Sequence, residues 1–108
     1  MKIAVCAGEK SGDALGHELL VDLKENIENL EVIGVGGSMM EGEGLKSFFP
    51  IKEISYMGLI DPLLNLRKIL KLRKNFINLL KKENPDVFIG IDSPSFNSGI
   101  CKALRRDT

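Results

Sequence analysis

The sequence predicts an α/β fold, a parallel sheet with helices on its faces, and three observations carry that expectation. Two short apolar runs, "KIAVCAG" and "EVIGVGG", close on glycine and flank a stretch whose apolar residues recur at three and four. A third run, "DVFIGID", follows the longest helical pattern in the chain. Buried strands alternating with amphipathic helices are the pattern of parallel crossover units.

In chain order, "KIAVCAG" is the opening buried strand. Ser11 or Asp13 is placed to cap the helix that follows, whose apolar positions are Leu15, Leu19, Leu20, Leu23 and Ile27. "EVIGVGG" is the second strand, and "SMMEGEG" reads as a loop or a short helical turn. "LKSFFPIKEI" is an extended piece in which Pro50 argues against a central strand. Asp61-Pro62 opens the long helix, since the missing proline N–H costs nothing in a first turn. Its stripe is Leu63, Leu66, Ile69, Leu70, Phe76, Ile77 and Leu80, and Asn84-Pro85 ends it. "DVFIGID" is the third buried strand, and Ser95 or Asn97 begins a last helix through Leu104. The sheet looks unfinished, because a parallel sheet normally runs from such a helix into a further strand. One domain, incomplete and marginally stable alone, is the expectation for residues 1–108.

Composition narrows the function classes. Of the 108 residues 44% are hydrophobic, and 15 basic side chains balance 15 acidic ones, so the chain reads as globular and gives no global reason to expect nucleic acid. Cys6 and Cys101 lie far apart, without metal-ligand spacing or a disulfide framework, and read as buried structural thiols. The apolar run "IAVCA" is too short for a secretory signal, and no stretch approaches the ~20 apolar residues of a membrane span. A cytoplasmic protein is expected.

Ligands of open parallel sheets bind beyond the carboxyl ends of the strands, so "AGEKSGD", "GVGGSMM" and "GIDSPSFN" are expected to share one edge. "GEKSGD" is not a phosphate loop, because Glu9 rather than glycine precedes Lys10. It does bring flexible backbone to a helix N-terminus, which suits an anionic or hydroxyl-rich ligand, or is simply a capped tight turn. Asp92 ends an apolar strand, where partial desolvation raises a carboxyl pKa and makes it a proton acceptor for a substrate hydroxyl. The alternative is a carboxylate that caps the next helix or accepts N–H bonds in its own turn. Asn97 caps that helix or meets a ligand. His17 has no Ser or Cys constellation around it and reads as a surface or packing residue.

Between Asp61 and Lys82 stand seven basic residues, Arg67, Lys68, Lys71, Arg73, Lys74, Lys81 and Lys82, and a single acid. A basic amphipathic helix can rest on an anionic membrane surface or receive an acylated, phosphorylated ligand; it can equally be a solvated face. Just before it, Tyr56, Met57, Leu59 and Ile60 give more apolar surface than a connector needs, a candidate acyl-chain or membrane contact.

Together, "AGEKSGD", "GVGG" with "MMEGEG", "YMGLIDPL" leading into the basic helix, and "NPDVFIGIDSPSFN" resemble the amino-terminal portion of the lipid-A-disaccharide synthase family, in the same order over essentially the whole chain. The resemblance implies a Rossmann-like fold, here the truncated amino-terminal, acceptor-side half of a two-domain, GT-B type inverting glycosyltransferase, peripheral to the inner membrane of Gram-negative bacteria. It implies transfer of a diacylated glucosamine from UDP-diacylglucosamine to diacylglucosamine 1-phosphate, with release of UDP. By motif position Asp92 is the general base; Ser11, Gly12, Asp13 and Asn97 serve substrate contact or site architecture; Met57, Leu59, Ile60, Arg67, Lys71 and Lys74 meet the membrane or acyl chains. No metal or other cofactor is implied. Ser95 stands where some members carry an acid, which weakens any proposal that a second carboxylate assists Asp92. Without the UDP-binding half, the chain alone is expected to be inactive. The competing expectations are a non-catalytic α/β module for an anionic lipid or nucleotide, and a different sugar-nucleotide enzyme.

Overall fold

A computed structural model describes residues 1–54 and 66–105, the side chain of Ser95 aside. The elements are β1 (Lys2–Ala7), α1 (Lys10–Asn26), β2 (Glu31–Val35), the short helix α2 (Ser38–Gly42), β3 (Lys46–Ser47), α3 (Leu66–Glu83), β4 (Val87–Ile91) and α4 (Pro94–Arg105). All strand pairs are parallel, in the order β3-β2-β1-β4.

β1 is the central strand, and its residues Ile3 to Ala7 are buried because both faces are covered. The alternation of the strand divides them between two layers. Ile3, Val5 and Ala7 pack with Leu20, Val32, Met40 and Leu45 beneath α1 and α2. Ala4 and Cys6 pack on the other face with Phe76 and Leu80 of α3 and Phe96 and Ile100 of α4. Phe48 and Phe49 meet Phe76 edge to face, with ring centroids 5.8 and 5.6 Å apart, which closes this second layer over β2. Full burial of Phe76 or Leu80 contributes about 1.5–3 kcal/mol each, so α3 is held by its apolar stripe rather than by its cationic one.

Several expectations are corrected. Neither Ser11 nor Asp13 caps α1, which starts earlier, at Lys10, with Glu9 at the N-cap position and no side-chain cap bond. Leu15 is 61% exposed; the face of α1 turned to the sheet instead runs through Gly12, Gly16 and Leu20, spaced four apart. Gly16 lies so close to Met40 that any side chain there would collide with it, so the helix seats by backbone approach. Leu66 and Leu70, assigned to the stripe of α3, are 49% and 43% exposed. The extended piece around Pro50 contributes only the two residues of β3, and residues 51–54 are helical. β4 is an edge strand, half-buried rather than buried, since among the described residues nothing pairs with its outer side. The last helix begins at Pro94, a first-turn proline. The expected helix start at Asp61-Pro62 lies outside the described residues.

At the amino ends of the strands, Lys2 closes the fold. Its backbone N–H donates to Asp86 Oδ2 at 2.9 Å, and its ammonium reaches Glu83 Oε2 at 3.3 Å and Glu31 Oε2 at 3.8 Å.

Candidate active site

β1 leads through α1 to β2 on one side, whereas β4 arrives on the other side of β1 by way of α3. The chain therefore reverses its direction of winding between β1 and β4, and loops diverge there to leave a crevice at the carboxyl ends of the strands. Ala7 and Ile91 are the last paired residues of these two strands. The next residues in register are Gly8 and Asp92.

They are joined directly: the Gly8 N–H donates to Asp92 Oδ1 at 2.7 Å. A bond this short to a carboxylate is charge-assisted. To reach back towards α1, the chain turns through two consecutive left-handed residues, Asp92 at φ 54° and Ser93 at φ 41°. Such conformations cost about 1–2 kcal/mol per residue, so they persist only where surrounding contacts hold them. The second carboxylate oxygen, Asp92 Oδ2, is buried and has no hydrogen-bond partner among the described residues. It lies against Gly12, where a Cβ would collide with Oδ2 and come within 3.1 Å of Cγ. Among the described residues the Asp92 carboxylate accepts from no group of its own turn or of the following helix; it reaches across the switch point to the loop before α1.

Asp13 spans the next gap in the same way. Only 4% exposed, it accepts from Gly37 N–H at 2.8 Å and Met40 N–H at 3.1 Å through Oδ1, and from Met39 N–H at 3.1 Å through Oδ2. These are donors at the N-terminus of α2, so Asp13 caps a neighbour's helix rather than its own. Ser47 extends the lacing: its hydroxyl donates to Phe49 O at 2.8 Å and accepts from Gly36 N–H at 3.2 Å. The three loops named from sequence do share one edge, and the carboxylates of Asp92 and Asp13 stitch them in series.

Asn97 is 5% exposed and is not a cap. Its backbone N–H makes the first-turn bond to Ser93 O at 3.0 Å, while its side chain turns back beneath the loop. Nδ2 donates to Asp92 O at 2.8 Å and lies 3.4 Å from both Ile91 O and Cys6 O. Ser11 is exposed in the first turn of α1. His17 places Nδ1 3.1 Å from Met39 O and 3.9 Å from Glu43 Oε1, joining α1 to α2. Cys6 lies on the floor below Asp92; burial pushes its thiol well above the ordinary value of 9.0, and the Asp92 carboxylate adds to the shift. Cys101, expected to be buried, is exposed.

Arg67, Lys68, Lys71, Lys74, Lys81 and Lys82 are all exposed along α3. Because α3 runs antiparallel to β4, its Arg67 end lies towards the strand-end loops. Met57, Leu59 and Ile60 lie outside the described residues. No described helix is long and apolar enough to cross a membrane.

Of the glycines that shape the site, sequence reasoning singled out Gly12 and missed the roles of Gly8 and Gly90. Gly8, Gly12 and Gly90 sit where Ser93, Asp92 and Asn97 respectively would meet a Cβ. Gly90 carried a readable signal, since a glycine inside an apolar strand often marks close approach of another group.

A parallel α/β sheet whose strand-end loops meet at a switch point around one carboxylate defines a Rossmann-like fold. Its family is shown by comparison with known proteins: the model of the family described as lipid-A-disaccharide synthetase matches residues 3–108, and the chain belongs to that family. It is 51% identical over 106 residues to the lipid-A-disaccharide synthase of Pseudomonas fluorescens (strain Pf0-1), covering 98% of this chain and 28% of that protein. The enzyme of the same name from Pseudomonas syringae pv. tomato is 48% identical over 106 residues, with the same coverage. That from Pseudomonas putida (strain F1) is 49% identical over 104 residues, 96% of this chain and 28% of the relative. The chain thus spans somewhat more than a quarter of the length of the curated relatives it matches.

Proposed function

We propose that this chain is the amino-terminal, acceptor-side part of a two-domain, GT-B type inverting glycosyltransferase that forms the lipid A disaccharide. Its substrates are UDP-diacylglucosamine and diacylglucosamine 1-phosphate, it works at the cytoplasmic face of the inner membrane, and Asp92 is the general base. One observation carries the assignment: at the switch point a carboxylate has one oxygen anchored by Gly8 and the other without a partner. The name that the relatives carry, lipid-A-disaccharide synthase, supports formation of that disaccharide.

Asp92 Oδ2 accepts the proton of the acceptor hydroxyl while that oxygen forms a bond to the anomeric carbon of the donor. The bond from that carbon to UDP breaks on the opposite face, its electron pair leaves with the diphosphate, and the configuration inverts. Since Oδ2 is covered, the carboxylate must turn out from beneath Gly12 to meet the hydroxyl. The exposed cations of α3 suit the acceptor phosphate or anionic headgroups beside the crevice. Donor binding falls to the polypeptide that the longer relatives possess beyond this match.

The test is Asp92→Asn in a full-length enzyme carrying this domain. Loss of a positioned base lowers kcat by about 10²–10⁴-fold with the acceptor KM little changed. Near-normal turnover at neutral pH removes Asp92 from that role, and acceptor-lipid binding without turnover in the unsubstituted full-length protein favours a non-catalytic module.

A further inference from the structure

The carboxamide of Asn97 is buried with its two ends treated unequally. Nδ2 faces three backbone carbonyls, whereas Oδ1 is buried without a partner among the described residues. An orphaned buried acceptor carries a desolvation cost, so what this residue contributes lies at its donor end. That end serves the carbonyls of Ile91 and Asp92, at the exit of β4, and of Cys6, the penultimate residue of β1.

The shortest of the three bonds, 2.8 Å, goes to the carbonyl of Asp92 itself, where the left-handed pair Asp92-Ser93 begins. Asp92 is therefore gripped twice: Asn97 holds its backbone and Gly8 holds its side chain. The seat for Asn97 is shaped from below by Gly90, whose missing Cβ would stand 2.8 Å from Asn97 Cβ and 2.9 Å from Cγ. A residue that met substrate would present its polar atoms to the crevice. Asn97 presents its donor nitrogen to the backbone beneath it.

We infer that Asn97 is a positioning residue for Asp92: through the Asp92 carbonyl it holds the left-handed turn that aims the carboxylate at Gly8 and Gly12. Its value to catalysis rests on the proposed role of Asp92 as base, but its geometric action does not. Without the Nδ2 donor, Asp92-Ser93 relaxes towards ordinary backbone angles, and the carboxylate swings away from the Gly8 amide.

The Gly8 amide reports this directly in ¹H–¹⁵N spectra of the 108-residue chain. Asp92→Ala, which removes the acceptor oxygen, defines the shift that accompanies loss of the carboxylate contact. Asn97→Ala should reproduce most of that shift and speed exchange of the Gly8 amide about tenfold, while the amides pairing β1 with β2 keep their protection. Asn97→Ser, which keeps a donor hydroxyl on a shorter arm, should restore part of the wild-type position and serves as the second variant if Asn97→Ala fails to fold. An unmoved Gly8 amide in either folded variant overturns the inference, as does a uniform loss of protection across the sheet, which marks a general stabilising role. Because the readout is an amide rather than turnover, failure of the base assignment would leave it unchanged.

Discussion

The Gly8 amide and the Asp92 carboxylate, 84 residues apart in the chain, meet at 2.7 Å where β1 and β4 cease to pair. This contact spends one carboxylate oxygen on architecture and leaves the other beside Gly12. It also explains the glycines at positions 8 and 12, before α1 and in its first turn: the backbone there and the Asp92-Ser93 side chains occupy the same narrow space. Four consequences can be measured.

Gly12→Ala should destabilise the chain by about 1–3 kcal/mol in urea unfolding, because the added methyl collides with Asp92 Oδ2 and lies 3.2 Å from Ala7 Cβ. The same change inside an unobstructed helix stabilises by about 0.5–1 kcal/mol. Gly42→Ala, with nothing within 4 Å of the new atom, is the control and should be neutral or stabilising. Equal behaviour of the two variants would dismiss the steric account.

Asp13→Ala removes the acceptor of three backbone N–H groups and should cost about 2–4 kcal/mol. Amide exchange should accelerate at Gly37, Met39 and Met40 and not in α4. Unchanged stability would favour substrate contact over site architecture, the two roles that the resemblance implied for Asp13.

Cys6 makes stability depend on alkaline pH. Its thiol stays protonated in the folded chain above the ordinary value of 9.0, so below that pH it is neutral in both states and the full contribution is present. Above it only the unfolded chain gives up the proton, and stability falls by up to about 1.4 kcal/mol per pH unit. Urea unfolding between pH 8 and 10.5 should show a slope that Cys6→Ala lessens; identical slopes would mean that the thiol does not couple. In the native state a thiol reagent should modify Cys101 and spare Cys6.

Lys71→Glu with Lys74→Glu reverses two exposed charges on α3 without touching its buried stripe. Binding to vesicles containing anionic phospholipid should drop by an order of magnitude or more, with a weaker dependence on salt. Unaltered partitioning would identify the cationic face as merely solvated.

The strands and helices were legible because periodicity is local: "KIAVCA", "EVIGV" and "VFIGI" are strands, and the repeats at three and four are helices. The shared edge of the three loops followed from the alternation of those elements, and the prominence of Asp92 from an acid at the exit of an apolar strand. What the repeats did not reveal was which side of each helix meets the sheet. Leu15, Leu66 and Leu70 fit the apolar stripe yet are exposed, because α1 seats through Gly12 and Gly16 and α3 turns Phe76 and Leu80 inward.

The amino-acid sequence by itself determined the α/β class, the parallel winding, the neutral charge with one cationic helix, and the family that the motifs share with the relatives. Only the tertiary structure decided the partners of the polar side chains. Asp13 left its own helix to cap α2, Asp92 crossed to Gly8, and Asn97 bonded to the carbonyls beneath it. A hydrogen bond is directional and depends on where distant backbone groups come to rest. Those positions are set by the order in which the strands pack.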